Sequence, residues 1–441
     1  MSNCNLSDET SQWQLPRFPQ TFLDRLKSLV RWKDVLSLLS IDRREAPMRL
    51  YWLREHSVVV FEAVGKRHLV DALAKKLHGR CAVWQTVQSS RDRIYDHVYR
   101  LSVECNAPLD RWTTKVWLLT SLVSVEFGHN FKERFSPEQF PTSLRHLAVN
   151  SSRDLAQLPT QLESLELGNF MCNIQLSRLV LPRLTELKFG TTRIISRFNE
   201  PLDDVSFATQ LPRLERMDMF ATFDRPLPPL ERWPLTLTSL RFAALSQQLV
   251  AWPNLRELVL EGDFRRPLAE TPLPALERLV LRTRYESALS DSFIAESLSL
   301  TLPRLTELVL ANAFNNTIAP GVLPPLLKRL EFGTSFDVPC DRIALSGLPL
   351  EMLSFGYAFN QRLPDDWLPE SLTALFFGTS FCGDLPERLP PRLQTLSFGA
   401  AFNRPIDRQI ARDRLPFLCL LTVGFRFAHT ISRTDIKVLR K

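Results

Sequence analysis

The sequence predicts a repeat solenoid built from one short parallel strand per repeat, and three observations lead there. A six-residue phrase, apolar at its first, fourth and sixth positions, recurs fifteen times between Val98 and Val423. The starts of successive copies lie mostly 21 to 25 residues apart, with two short gaps of 18 and two long ones of 30 and 29. Proline outnumbers glycine, 31 to 14, and the connections show no 3.6-residue apolar stripe, so the returns are expected to be extended or 3-10 rather than long helices.

The phrase has a direct physical reading. Its fourth and sixth positions are two residues apart and share one face of a strand, as with Leu396 and Phe398. Positions three and five point to the other face. One such strand cannot bury its apolar row alone, but a stack of them buries it continuously. The period therefore predicts a parallel sheet over residues 98–423, curved like the leucine-rich-repeat horseshoe, with its returns on the convex side.

After the strand the chain is also regular. Phe332-Gly333-Thr334-Ser335-Phe336, Phe377-Gly378-Thr379-Ser380-Phe381 and Phe398-Gly399-Ala400-Ala401-Phe402 are three examples. A glycine in that place is expected to turn the chain off the strand through a positive φ. The second phenylalanine is expected to plug the interior. Asp337 and Asn403 are suited to satisfying turn amides. Pairs such as Leu211-Pro212, Leu323-Pro324 and Leu389-Pro390 then lead into the next strand.

At these residues the chain resembles a known repeat family. Phe402-Asn403-Arg404-Pro405-Ile406 is similar to the signature of FNIP repeats, a leucine-rich class of about 22 residues. Softer copies are Phe198-Asn199-Glu200-Pro201-Leu202, Phe223-Asp224-Arg225-Pro226-Leu227, Phe264-Arg265-Arg266-Pro267-Leu268 and Phe314-Asn315-Asn316-Thr317-Ile318. Phe131-Lys132-Glu133-Arg134 and Phe381-Cys382-Gly383-Asp384 depart from the pattern. The resemblance implies a protein-interaction repeat without catalytic activity.

Positions three and five should line the inner face. Glu186, Arg216, Glu257, Arg278, Glu307 and Arg329 alternate in sign along position three, which predicts a ladder of cross-strand ion pairs. Such a ladder either aligns the stack or reads a charged ligand. Further on, Met352, Ser354, Ala374, Phe376, Thr395, Ser397, Leu420 and Thr422 form a strip without charge. Either a partner docks on it or the tail, residues 424–441, folds over it as a cap. The long gaps hold Arg193–Arg197 and Arg284–Asp291, which are expected as loops.

Residues 1–97 lack the repeat phrase. Residues 1–14 read as a flexible start and 15–97 as a helical cap. Phe22, Leu26, Leu29 and Val30 lie on one helical stripe, a second apolar stretch runs through Leu50, Trp52 and Leu53, and strand-like runs occur at Ser57–Phe61 and Cys81–Trp84. Segment 15–55 resembles an F-box, carried by Leu15-Pro16, Leu26, Leu29 and the phrase Asp34-Val35-Leu36-Ser37-Leu38-Leu39. That resemblance implies docking on the adaptor subunit of a cullin-RING ubiquitin ligase. Lys66, Arg67, Lys75, Lys76 and Arg80 form a basic segment, a solvated helix face or a nucleic-acid contact.

Composition narrows the function classes. The net charge is +7, of which residues 1–97 carry +5, so the repeats are nearly neutral and ill suited to phosphate backbones. The seven cysteines form no CxxC pair, which fits buried thiols in a reducing compartment better than disulfides or zinc. The polar stretch Met1–Gln12 lacks a signal-peptide profile, and no apolar run spans a bilayer, so an intracellular, cytoplasmic or nuclear location is expected. No HExxH, GxSxG, GxGxxG or P-loop phrase occurs. The sequence therefore points to a scaffold that binds other proteins, without cofactor, metal, small-molecule substrate or membrane. A ubiquitin-ligase substrate receptor and a nucleic-acid binder through 66–80 are the alternatives.

Overall fold

The computed structural model describes three strands within residues 49–87 and most of the chain from Val98 onward. Residues 1–48, segments 54–57, 64–80, 88–93, 95–97, 107–108, 110–115, 134–135, 151–156, 169–175, 191–197, 220–222, 243–248, 262–270 and 283–297, and a few single positions lie outside the described residues. The chain divides into two compact units, Met1–Leu184 and Thr185–Lys441.

All fifteen phrases are strands. In the first unit they are β4 (Val98–Val103), β5 (Ser124–Phe127), β6 (His146–Val149) and β7 (Ser164–Leu167), paired in sequence and parallel. In the second unit the series runs β8 (Glu186–Phe189), β9 (Arg216–Met219), β10 (Ser239–Phe242), β11 (Glu257–Glu261), β12 (Arg278–Arg282) and β13 (Glu307–Val309). It continues through β14 (Arg329–Glu331), β15 (Met352–Ser354), β16 (Ala374–Phe376), β17 (Thr395–Ser397) and β18 (Leu420–Val423). Each of these pairs parallel with the next.

Register follows the phrase. Position-four residues face one another down the stack, for example Leu330, Leu353, Leu375, Leu396 and Leu421. All five are buried, as are the first-position leucines Leu327, Leu350, Leu372, Leu393 and Leu418. Entry into successive strands of the second unit, from β9 to β18, repeats one hydrogen-bond pattern: two consecutive amides converge on a single carbonyl of the previous rung. Glu351 and Met352 donate to Lys328 O at 2.7 and 3.0 Å, and Thr373 and Ala374 donate to Glu351 O at 2.8 and 3.0 Å. A slip by one residue would turn every leucine outward.

The returns are short, as the proline content demands. They hold 3-10 turns at Val116–Leu118, Pro137–Gln139, Leu176–Arg178, Leu230–Arg232 and Cys340–Arg342, and two four-residue helices, α1 (Phe207–Gln210) and α2 (Leu298–Thr301).

Strand structure reaches further toward the N-terminus than the phrase does. β1 (Arg49–Leu53) pairs antiparallel with β2 (Val58–Ala63), and β3 (Cys81–Val87) lies parallel between β2 and β4. The strand-like runs expected at Ser57–Phe61 and Cys81–Trp84 coincide with β2 and β3, while β1 takes up the stretch through Leu50, Trp52 and Leu53, for which the sequence predicts no strand; the stripe Phe22–Val30 lies outside the described residues. Runs such as Val58-Val59-Val60-Phe61 and Cys81-Ala82-Val83-Trp84 carry β-branched and aromatic residues that favour a pleated sheet.

The tail, one of the two alternative occupants expected for the strip, supplies a further strand. Lys437–Arg440 forms β19, which pairs parallel with β18 and adds a rung beside it. It extends the sheet rather than folding over its face. Arg433 pins this segment: Nη1 donates to Ile410 O at 2.9 Å and Leu415 O at 2.8 Å, while Nε and Nη2 grip Asp435 at 3.0 and 2.7 Å. The guanidinium beside Asp435 holds its carboxyl down at about 2.

Beyond the strands, two further ladders run along the stack. Sixth-position Phe332, Phe355, Phe377 and Phe398 each stack on the phenylalanine four residues later, with centroids 3.8, 3.9, 4.2 and 3.9 Å apart. Those second rings, Phe336, Phe359, Phe381 and Phe402, follow one another at 6.3, 6.2 and 5.9 Å. Turn carboxylates and amides then bond one repeat ahead. Asp337 Oδ1 accepts from the Asn360 amide at 2.8 Å, Asn360 Oδ1 from Cys382 at 3.0 Å and Asn403 Oδ1 from Ala428 at 2.9 Å.

The glycine after the strand has a different role from the one expected. Positive φ occurs at Gly190, Gly321 and Gly347, not at Gly356, Gly378 or Gly399. At the latter three the constraint is close approach. A Cβ on Gly356 would overlap Gly333 O, one on Gly378 would overlap Gly356 O, and one on Gly399 would overlap Gly378 O. The obstacle is backbone and cannot swing away. Gly378→Ala is therefore expected to destabilise the chain by about 1–3 kcal/mol, measured by urea unfolding, whereas Gly383→Ala, which meets only ordinary contacts, is expected to cost less.

Candidate functional site

With positions one, four and six committed to the core, positions three and five form the open face of each sheet. Ion pairs occupy much of it. In the first unit Arg100 Nη2 meets Glu126 Oε2 at 2.8 Å. In the second, Arg216 Nε lies 3.4 Å from Glu186, which also holds Lys188 Nζ at 3.0 Å. Arg278 forks between Glu257 and Glu307, reaching the latter at 3.0 Å. The ladder stops there. Arg329 stands in register with Glu307 but forms no ion pair among the described residues, because Glu307 is already engaged by Arg278. Val259 and Val280, at position five beside this clamp, are buried.

Asp218 is the most perturbed group on this face. It sits at position five of β9, in register with Lys188 on β8 and Arg241 on β10. Its Oδ2 is 3.8 Å from Arg241 Nε, and its buried Oδ1 has no hydrogen-bond partner. Burial pushes its carboxyl up to about 7, against the pull of Arg241 and Lys188.

From β15 onward the face changes character. Met352, Ala374, Thr395 and Leu420 form one row across the strands, and Ser354, Phe376, Ser397 and Thr422 form the next. All but the buried Thr422 are partly exposed. Arg329 and Glu331 border the strip on β14, and Lys437 and Leu439 continue the two rows on β19. Along the edge where the strands end, Tyr357 and Phe425 are exposed. Sequence reasoning did not single them out. They occupy the position after the stacked glycines Gly356 and Gly424.

Other sequence candidates fare differently. Leu15, Pro16, Leu26, Leu29, Asp34, Val35, Leu36 and Leu39 of the F-box-like segment lie outside the described residues, as do the basic segment 66–80 and the loops Arg193–Arg197 and Arg284–Asp291. Cys340 is a buried thiol pushed up to about 12 by desolvation, which makes it inert, but Cys382 and Cys419 are exposed rather than buried. Among the described residues no group of three His, Cys, Asp or Glu side chains is placed to hold a metal ion, and no helix is long and apolar enough to cross a membrane.

A stack of single strands with short irregular returns and a leucine core is the fold of leucine-rich-repeat proteins. Structural comparison bears this out with CroV588, described as a novel circular leucine-rich-repeat protein, at a TM-score of 0.55 and 23% identity. The match covers 82% of this chain and 59% of CroV588, so the chain spans less than two thirds of that protein's length. A chain of the Toll–Spatzle complex of Drosophila aligns at a TM-score of 0.46 and 14% identity over 90% of this chain and 63% of its own length. InlJ of Listeria monocytogenes aligns at 0.40 and 14%, over 84% and 73%. Residues 314–358 match the family model of the FNIP Repeat. No curated protein matches the chain by sequence.

The raised Asp218 carboxyl makes a testable statement about stability. The folded state holds its proton more tightly than the unfolded chain, so this contribution is full below about pH 4 and is lost as pH rises to about 7. Asp218→Asn removes the titration. Between pH 5 and 8 the variant's unfolding free energy is expected to gain on that of the parent chain by about 2 kcal/mol in urea unfolding, and parallel pH profiles would refute it.

Proposed function

We propose that this chain is a non-catalytic scaffold that holds a partner protein on the open face of its second unit, at the uncharged strip across β15–β18. The observation that carries this reading is the change along one continuous face. From β8 to β13 the charges on that face are largely matched to one another. From β15 to β18 the same register positions bear Met352, Phe376 and Leu420 with hydroxyl neighbours, partly exposed and without a charge to keep them solvated. An apolar centre with a polar rim is the anatomy of a protein interface. The leucine-rich-repeat fold, widely used to bind proteins, supports the same reading.

A second reading adds a role for the N-terminal segment. The phrase around Leu15-Pro16 and Asp34–Leu39 resembles an F-box, and FNIP repeats often follow one, so the scaffold would present its partner to a cullin-RING ligase. Co-purification of the cullin adaptor with the full chain, lost on deleting residues 1–60, supports that role; no recovery by the intact chain removes it.

The strip itself is tested by charge insertion. Phe376→Glu is expected to abolish retention of partners by the full chain in cell extracts while changing unfolding free energy by no more than about 0.5 kcal/mol. Phe417→Glu, at an exposed phenylalanine off the strip, is expected to retain them. Equal retention by both variants would overturn the proposal.

A further inference from the structure

We infer that the partner segment received by this strip is apolar at its centre and acidic at one end, the acidic end lying over β19. This rests on the strip being the docking face. The argument is charge complementarity. The two rows of the strip begin at Arg329 and Glu331 on β14, a pair of opposite sign that confers no net preference. They end at Lys437 and Leu439 on β19, where the sign is positive only. At that end the exposed charges are Lys437, in the first row, and Arg426, beyond the end of β18, whereas Arg440 stands in register with Val423 on the core-facing side and does not belong to the strip.

Neither Lys437 nor Arg426 has a carboxylate within ion-pairing distance among the described residues. The guanidinium of Arg426 lies 5.6 Å from the Phe425 ring. A ring contact of that kind orients a guanidinium and leaves its charge intact. The nearby acid, Asp435, is taken by Arg433 at 2.7 Å with Arg412 at 4.0 Å. From β8 to β13 the cations of the open face answer carboxylates of this same chain, as Arg278 does between Glu257 and Glu307, and Arg329 on β14, though without an ion pair, has the acidic Glu331 in the neighbouring row. At β19 the cations have no such answer, and the apolar strip leads straight to them.

Geometry sets the size of the segment. Five inter-strand steps separate Arg329 from Lys437, about 24 Å at the usual strand spacing. An extended segment of about seven residues covers that span. Its apolar anchors would rest on Met352, Phe376 and Leu420, and its carboxylates would reach Lys437 and Arg426.

Selection from a display library of random twelve-residue peptides, against the full chain at low and at physiological ionic strength, tests this. The expected result is enrichment of peptides with apolar anchors followed or preceded on one side by Asp or Glu, bound at least tenfold more weakly by Phe376→Glu. Lys437→Glu combined with Arg426→Glu is expected to weaken the acidic peptides about tenfold and to select basic ones instead. Enriched peptides that depend on Phe376 but show no acidic bias would overturn this inference and leave the docking strip standing. Peptides indifferent to Phe376, or none enriched, would overturn both. Circular dichroism and urea unfolding of each variant separate lost binding from lost folding.

Discussion

In-register contact between neighbouring rungs is the constraint on which everything else rests. A strand of three or four residues makes no hydrogen bond within itself and buries one side of a leucine only when another leucine stands beside it. Leu353, for example, meets Leu330 on one side and Leu375 on the other, and all three are buried. Stability in such an array is a sum of nearest-neighbour terms, each small and none dispensable. The ends are the weak points. The lead-in to β19 is fastened by Arg433, whose guanidinium has each of its nitrogens engaged by the chain around it.

Register in a short parallel strand is weakly held by hydrogen bonds alone, and the flanking ladders supply what the strands lack. Stacked rings at 3.8–4.2 Å within each repeat, and near 6 Å between repeats, fix the distance from one rung to the next. Each such contact contributes about 0.5–1.5 kcal/mol beyond its buried area. The glycine row lets the backbones close to the same spacing on the strand's far side, and Asp337, Asn360 and Asn403 then bind the amide one repeat on. Three chemically different devices therefore enforce one translation. This leaves positions three and five without a duty in the core, which is why they can vary from charge pairs to an apolar strip without disturbing the stack.

The architecture was legible because the phrase encodes both period and face. Leucines at positions one and four and an apolar sixth residue were enough to place all fifteen strands. The first three strands escaped that logic, since Arg49–Leu53, Val58–Ala63 and Cys81–Val87 carry β-forming residues without the leucine spacing. The role of Gly356 and Gly378 was also hidden. A sequence records that no side chain is present, but not whether φ or a neighbouring carbonyl forbids one. Alternating signs along position three showed where opposite charges would meet, but not that Arg278 would take two carboxylates and leave Arg329 without one. Competition among partners at about 4.8 Å intervals is decided by side-chain reach, which spacing does not contain.

The contrast along the open face follows from the same economy of contacts. A cross-strand ion pair at the surface contributes little to stability, roughly 0.2–1 kcal/mol, but it satisfies both members and leaves neither seeking another partner. A face covered in such pairs is therefore inert toward most proteins. Removing the charges reverses this. Phe376, Met352 and Leu420 gain nothing from water, and the serine and threonine side chains between them are too short to shield them. The stack does not require this arrangement, since charged residues occupy equivalent positions from β8 to β14 with the same backbone geometry. That the strip faces solvent and that folding does not demand it is the ground on which a docked partner is proposed there.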